Sequence, residues 1–258
     1  MSTAFPAPDG AIRTPVSCFI IARDEADRIA RAIESVRGIA SEVIVVDSGS
    51  TDGTQQIAAG LGAKVIANDW AGYGPQKRFA EDQCANDWVL NLDADEWLSE
   101  ELRAEIIALL SQPQMPADSF RMKVTIVYPQ REKPAPFADS TICLRLYDRR
   151  ATRFSDSPVF DNVRETPQTQ MLRHRVYHKS FRRLADVMRK ELGYFELQGQ
   201  TIRKSRAQLL ARLPVEFPWQ FFRFWILNRH IFGGWYGFAV ANVTAFMRFM
   251  RLVILLKW

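Results

Sequence analysis

Asp93 and Asp95 stand two apart in the run Leu90-Asn91-Leu92-Asp93-Ala94-Asp95-Glu96. At the end of a strand, residues two apart project to the same side of the sheet edge. Two hard carboxylate oxygens on a short segment suit Mg²⁺ or Mn²⁺ carrying a substrate diphosphate, because such ions keep only one or two protein carboxylates. The structural alternative is that one of the two aspartates caps the turn into the next helix. A second acidic stretch, Asp47-Ser48-Gly49-Ser50-Thr51-Asp52-Gly53-Thr54, also follows an apolar run. Asp47, at the carboxyl end of a buried strand, is placed to accept N–H bonds from a nucleobase. Asp52 has a plainer alternative as the N-cap of a helix opening at Thr54. After a third apolar run come Ala22-Arg23-Asp24-Glu25, without the glycines of a dinucleotide-binding turn, which argues against NAD.

These acids need a scaffold that brings strand ends together, and the periodicity supplies one. Ser17–Ala22, Val43–Val46, Ala63–Ala67 and Trp88–Leu92 are short apolar runs. Between them, Glu25–Val36, Thr54–Leu61 and Gln76–Ala85 carry helical spacing. Alternation of this kind predicts an α/β fold with a mostly parallel sheet covered on both faces. Ligands of such sheets bind at the carboxyl ends of the strands, where the acids lie. Glu100–Leu110 is an amphipathic helix with acids in its first turn, closed by Pro113 and Pro116. Phe120–Val127 and Thr141–Tyr147 read as strands around a Pro-rich loop, and Leu184–Gln200 reads as a helix.

Charge divides the chain. Residues 1–167 hold 18 Lys/Arg against 25 Asp/Glu, and residues 168–258 hold 16 against 4. The basic end implies a polyanionic partner, membrane surface or nucleic acid. Residues 214–258 carry 13 of the 30 aromatic residues, a mixture that suits an acyl-chain boundary. No nucleic-acid motif accompanies the charge, so a nucleic-acid partner is not expected. Ile231–Met247 has no formal charge, and Thr244, Arg248 and Arg251, at i, i+4 and i+7, form one polar stripe. We read an in-plane membrane helix, with a core or oligomer-interface helix and a true span as alternatives. The three cysteines lack CxxC spacing, and residues 1–15 lack an apolar signal core, so the expected location is the reducing cytoplasm.

The run SCFIIARDEADRIARAIESVRGIASEVIVVDSGSTDGT, with GYGPQKRFAEDQCANDWVLNLDADEWL after it, resembles the donor half of family-2 glycosyltransferases with the GT-A fold. Among these it is most similar to bacterial enzymes that extend the lipopolysaccharide core or related surface glycans. The resemblance implies an inverting, metal-dependent transfer from a UDP-sugar to a lipid-linked saccharide. It matches Asp47 to the acid at the base, Asp93 to the first aspartate of a DxD motif near the ribose, and Asp95 to the metal ligand. Lys77 and Arg78 match basic positions facing the donor, the alternative being a solvated helical turn. The usual Asn-Glu after the first strand is here Arg23-Asp24-Glu25, and Ala22 and Glu25 are the donor-site candidates of that segment.

The base of the relatives lies in a Val-His-Glu-like segment, matched here by Asp161-Asn162-Val163-Arg164-Glu165 with Arg in place of His. Glu165 is the first candidate, Asp161 the second and Asp156 a remote third. His178 matches a histidine that completes metal coordination or touches the diphosphate, against a structural role. Arg182 and Arg183 face either a diphosphate, a lipid headgroup or solvent. The implied organisation is a leader (1–14), a donor half (15–112), an acceptor and catalytic half (113–200) and a basic aromatic helical tail (201–258). Such an enzyme works at the inner face of the cytoplasmic membrane, where soluble donor and membrane-held acceptor meet. Competing classes are a nucleotidyltransferase, whose Gly-rich activation loop is missing, and a non-catalytic binding protein on a related sheet.

Overall fold

The computed structural model describes residues 10, 12–157, 162–180, 182–188 and 205–257. In chain order the elements are β1 (Val16–Ala22), α1 (Ile29–Ser35), β2 (Glu42–Asp47), α2 (Thr54–Gly60), β3 (Lys64–Ala67) and α3 (Tyr73–Asp82). β4 (Trp88–Asp93), β5 (Glu96–Leu98), α4 (Glu100–Leu110), β6 (Ser119–Ile126), β7 (Ser140–Asp148) and β8 (Gln170–His178) follow. Two long helices close the series, α5 (Arg206–Phe222) and α6 (Gly234–Lys257).

The eight strands form one sheet in the order β3-β2-β1-β4-β7-β6-β8-β5. β3, β2, β1 and β4 are parallel, and β7 joins β4 antiparallel. The mixed, mostly parallel α/β sheet expected from the periodicity is therefore present. Alternate residues of each parallel strand feed two cores. Cys18 and Ile20, Val43 and Val45, and Leu90 and Leu92 enter one core, together with Ile29 and Ile33 of α1 and Leu102 and Ile106 of α4. Phe19, Ile44, Val46 and Val89 enter the other, with Ala80 of α3. Burial on both faces is why these strands are continuously apolar in sequence.

Helix starts differ from expectation at two places. α1 opens at Ile29 rather than Glu25, because residues 25–28 form a turn in which the Glu25 carbonyl accepts from the N–H groups of Arg28 and Ile29. α3 opens at Tyr73 rather than Gln76. Gly72, at φ 112°, turns the chain in, and Pro75 sits in the first turn, where no intrahelical N–H is missed. β5 and β8 were not anticipated. β5 has three residues, and β8 carries Arg173, His174 and Arg175 at exposed positions, so neither shows an apolar run. Of Leu184–Gln200, residues 184–188 are helical and 189–200 lie outside the described residues.

By contacts the chain divides into two compact units. The first comprises Met1–Val124 and Thr141–His178, and the second Thr125–Ser140 and Lys179–Trp258. This partition follows packing and is distinct from the functional halves expected from sequence. In the second unit α5 packs on α6, and Tyr128 is buried with Val240. Tyr128 Oη lies 2.6 Å from His230 Nδ1, and a Cβ at Gly237 would fall on the His230 carbonyl oxygen. α5 starts with a capping box between Ser205 and Gln208. Pro214 and Pro218 within it remove the donors that Leu210 and Pro214 carbonyls would otherwise receive. Among the described residues one helical segment, His230–Leu256, is long and apolar enough to cross a membrane, with mean hydropathy 1.7 over its most apolar window.

Candidate active site

The strand register sets the frame. Ala22 pairs with Asp47, and Ile21 pairs with Asp93, so the ends of β2, β1 and β4 align along one edge. The chain leaves β1 toward β2 and β3, then returns to β4 on the other side of β1. That reversal of strand order is where ligands bind in open α/β sheets.

The loops after β1 and β2 are tied to each other. Asp24 holds a left-handed conformation (φ 54°) and accepts from Thr51 N–H at 2.9 Å, while its own N–H donates to Ser50 Oγ at 2.8 Å. Asp52 accepts from Ala26 N–H at 3.0 Å and from Thr54 N–H at 3.1 Å. It thus bridges two loops beside the helix start, and Gly53, at φ 95°, takes the N-cap position itself. Asp47 is fully buried. Its Oδ1 accepts from the N–H groups of Gly49 (3.0 Å) and Ser50 (2.8 Å) and from Gln55 Nε2 (2.6 Å), and its Oδ2 from Ser50 Oγ. The carboxylate is fixed by its own loop. Ala22 contributes its carbonyl, which accepts from Ser48 N–H at 3.0 Å.

Charge concentrates at the end of β4. Lys77 is 1% exposed, and its Nζ lies 2.8 Å from Asp93 Oδ1, which excludes the solvated-turn alternative for this residue. Arg145 of β7 donates to Asp93 Oδ2 at 3.1 Å, to Glu96 Oε1 at 2.5 Å and to Asn91 Oδ1 at 2.5 Å. Burial alone would raise the Asp93 carboxyl, but Lys77 and Arg145 outweigh it and hold the group well below the usual carboxylate range. Glu96 moves the other way, pushed up first by burial and then by the charges of Asp93 and Asp95.

Asp95 lies next to this pair and belongs to a second one. Its Oδ2 is 3.2 Å from His178 Nε2, at the end of β8, and 3.5 Å from Arg28 Nη1. Burial opposes ionisation of Asp95, yet His178 and Arg28 keep its carboxyl below the ordinary value. Burial likewise favours a neutral His178, and Asp95 overrides it, raising the imidazole. Glu25 enters through Arg28, whose guanidinium it meets at 2.5 Å. Arg28, Glu96 and Arg145 went unnoticed in sequence. A usable signal was an arginine inside the strand Leu144-Arg145-Leu146, where an inward charge demands a partner.

Glu165 is exposed, with its carboxylate 3.3 Å from Arg121 Nη1. It lines a basin of about 770 Å³ together with Arg78 and Asp156. Arg78 Nη1 donates to the Phe154 carbonyl at 2.7 Å. Asp161 lies outside the described residues. Arg182 and Arg183 belong to the second unit, where both backbone N–H groups donate to Asp186.

The profile of glycosyl transferase family 2 matches residues 17–181, which include β1 from its second residue, β2 through β8 and every residue of the charged cluster. The chain belongs to glycosyl transferase family 2. An uncharacterized glycosyltransferase of Rickettsia felis is 41% identical over 248 residues, covering 92% of this chain and 88% of its own. A lipopolysaccharide core biosynthesis glycosyltransferase, LpsC, of Rhizobium meliloti is 41% identical over 104 residues, 38% of each chain. Among solved structures, that of S. aureus TarS has a TM-score of 0.50 at 16% identity, over 84% of this chain and 44% of its own, a likeness of fold. The family-2 chain thus has the GT-A architecture expected from its motifs, followed by an apolar C-terminal helix. A family-2 glycosyltransferase implies a nucleotide-sugar donor and a glycan acceptor.

Proposed function

We propose that the chain transfers a sugar, with inversion, from a UDP-sugar to a lipid-linked saccharide of lipopolysaccharide-core type at the cytoplasmic membrane face. The observation that carries this reading is the convergence of Asp93, held between Lys77 and Arg145, with Asp95, held by His178, at the carboxyl edge of the sheet. Asp47 and the Ala22–Glu25 loop take the base, Asp93 the ribose, and Lys77 and Arg78 the negative charge of the donor. Asp95 and His178 are the metal candidates. A carboxylate oxygen and an imidazole nitrogen 3.2 Å apart are a donor pair that one divalent ion can replace as the shared partner. Among the described residues no group of three or more metal-binding side chains gathers. Mg²⁺ and Mn²⁺ keep only one or two protein carboxylates, so a donor diphosphate and water would complete the coordination in this reading. The ion, when bound, offsets charge on the departing UDP.

Glu165 is assigned as the base, with Asp161 as its alternative. The exposed carboxylate takes the proton of the acceptor hydroxyl as that oxygen attacks the anomeric carbon from the face opposite UDP. Support for a membrane acceptor comes from the apolar helix and from Trp219, Phe222, Phe232 and Trp235, all exposed in the second unit near Arg223 and Arg229 in sequence. The name of the Rhizobium relative supports the same acceptor class.

A thermal-shift panel of nucleotide sugars with and without Mn²⁺ tests this. At a hundred times its dissociation constant, a ligand specific for the folded state adds about 2.7 kcal/mol. We expect UDP-sugars to raise Tm in a Mn²⁺-dependent way, and Asp95→Ala to lose the Mn²⁺-dependent part together with transfer. A panel in which no UDP-sugar shifts Tm, or full transfer by Asp95→Ala, overturns the assignment.

A further inference from the structure

Gly74 is buried in the first turn of α3, and a Cβ there would fall 2.3 Å from the Ser157 carbonyl oxygen and 2.4 Å from that of Ser155. Both atoms are backbone, so neither can turn aside. The Gly74 N–H donates to the same Ser157 oxygen at 3.2 Å. Its φ is not positive, so glycine serves here for close approach and not for an unusual conformation.

The rest of α3 grips the same segment. The Phe154 N–H donates to Glu81 Oε2 at 3.4 Å, and the Phe154 carbonyl accepts from Arg78 Nη1 at 2.7 Å. Arg153 meets Glu81 at 3.1 Å and also pairs with Asp82. The Phe154 ring packs against Phe19 and Tyr147, and Lys77 Nζ lies 5.3 Å from its centre. The segment in turn carries the chain that leads into Glu165. Phe154 forms an antiparallel bridge with Val163, and the Ser155 N–H donates to the Asn162 carbonyl at 3.1 Å. Thr152 Oγ1 donates to the carbonyl of Arg164, the residue before Glu165, at 2.8 Å. Three residues beyond Gly74, Lys77 is fixed to Asp93 at the end of β4. One helix therefore holds both the donor-side acid and the backbone that carries the Glu165 carboxylate.

We propose that Gly74 is a positioning residue for the base: the space left by its missing side chain sets how closely residues 152–157, and with them Glu165, lie to the donor charges at Lys77 and Asp93. The inference rests on the reading of Glu165 as base. Ala80 anchors α3 in the core with Phe19, Ile44 and Val46, so under a clash at Gly74 the helix stays and residues 155–157 withdraw. Relieving contacts this short takes a shift of about 1 Å, and a misplacement of that size can cost up to about 10²-fold in rate.

The test is a double-mutant cycle on the full chain with Gly74→Ala, Glu165→Gln and the two combined. Turnover is read as UDP release from the UDP-sugar that raises Tm most, with core-type lipopolysaccharide as acceptor, beside a UDP titration in Mn²⁺. Gly74→Ala should lower kcat by about tenfold or more while UDP affinity stays at the wild-type value. The combined variant should be no slower than Glu165→Gln alone, because a base that is gone cannot be misplaced. Unchanged kcat in Gly74→Ala, weakened UDP binding, or losses that multiply beside a slow Glu165→Gln overturn the proposal and leave the base assignment standing. A Glu165→Gln enzyme as fast as wild type removes the base assignment and this inference with it, as does a wild-type chain that releases no UDP. If Gly74→Ala does not fold, Thr152→Val decides. It keeps the side chain's shape and gives up the bond to the Arg164 carbonyl. A lower kcat that Glu165→Gln does not compound supports the proposal, and an unchanged kcat overturns it.

Discussion

Asp93 shows how two basic side chains can set the state of one acid. Lys77 and Arg145 keep it ionised, so it serves as a fixed acceptor and not as a proton carrier. In Lys77→Met the carboxylate keeps Arg145 but loses the nearer charge. Removing one partner of a wholly buried pair costs about 3–5 kcal/mol. Asp93 keeps 31% exposure, so urea denaturation should show a loss at or below the lower end of that range, with weakened UDP binding beside it. A variant as stable as the parent would mean that Arg145 alone suffices. Glu165 demands a different assay, because its proposed role is in turnover. Glu165→Gln is nearly isosteric, so donor affinity should stay while kcat falls by about 10² or more. If kcat is unchanged and Asp161→Asn is inactive, Asp161 is the base.

Elements were legible where burial is two-sided. β1, β2 and β4 feed both cores, and their apolar runs mark them within about one residue. β8 was not legible, because its buried residues, Leu172 and Val176, are separated by exposed cations. It is held instead by polar contacts from α4. The Glu105 carboxylate accepts from the N–H groups of Arg173 (2.9 Å) and His174 (3.0 Å) and lies 2.8 Å from His174 Nδ1. Burial pushes the Glu105 carboxyl up, but these donors outweigh it and bring it below its ordinary 4.5. A depressed folded-state value stabilises the protein above the unfolded value and stops doing so as pH falls through the folded one. The stability difference between wild type and Glu105→Gln should therefore be constant near neutrality and shrink below about pH 4.5. Urea midpoints at pH 7 and in mild acid measure it, and a difference that grows in acid would contradict the assignment.

At the scale of the molecule, the tail carries most of the exposed large apolar side chains. α6 buries Val240, Ala241, Thr244 and Ala245, yet leaves Trp235 80% exposed and Phe246 about half exposed. One face of α6 is thus buried as in a core helix, and the other leaves large apolar side chains exposed. If the exposed face enters anionic vesicles, Trp235→Glu should reduce flotation by roughly tenfold or more at unchanged Tm. Salt should weaken wild-type flotation without abolishing it, since each arginine near anionic lipid adds only about 1 kcal/mol. Unchanged flotation of the variant would exclude this face. The sequence alone determined the parallel α/β core and the positions of Asp47, Asp93 and Asp95 at strand ends, because strand periodicity and turn chemistry are local properties. It did not determine which cations answer those acids. Arg28, Lys77, Arg145 and His178 come from α-helical turns and strands up to 83 residues away from their partners. Only packing of the sheet brings them within bonding distance, where loss of water makes an unpaired charge costly and each acid must be met by a base.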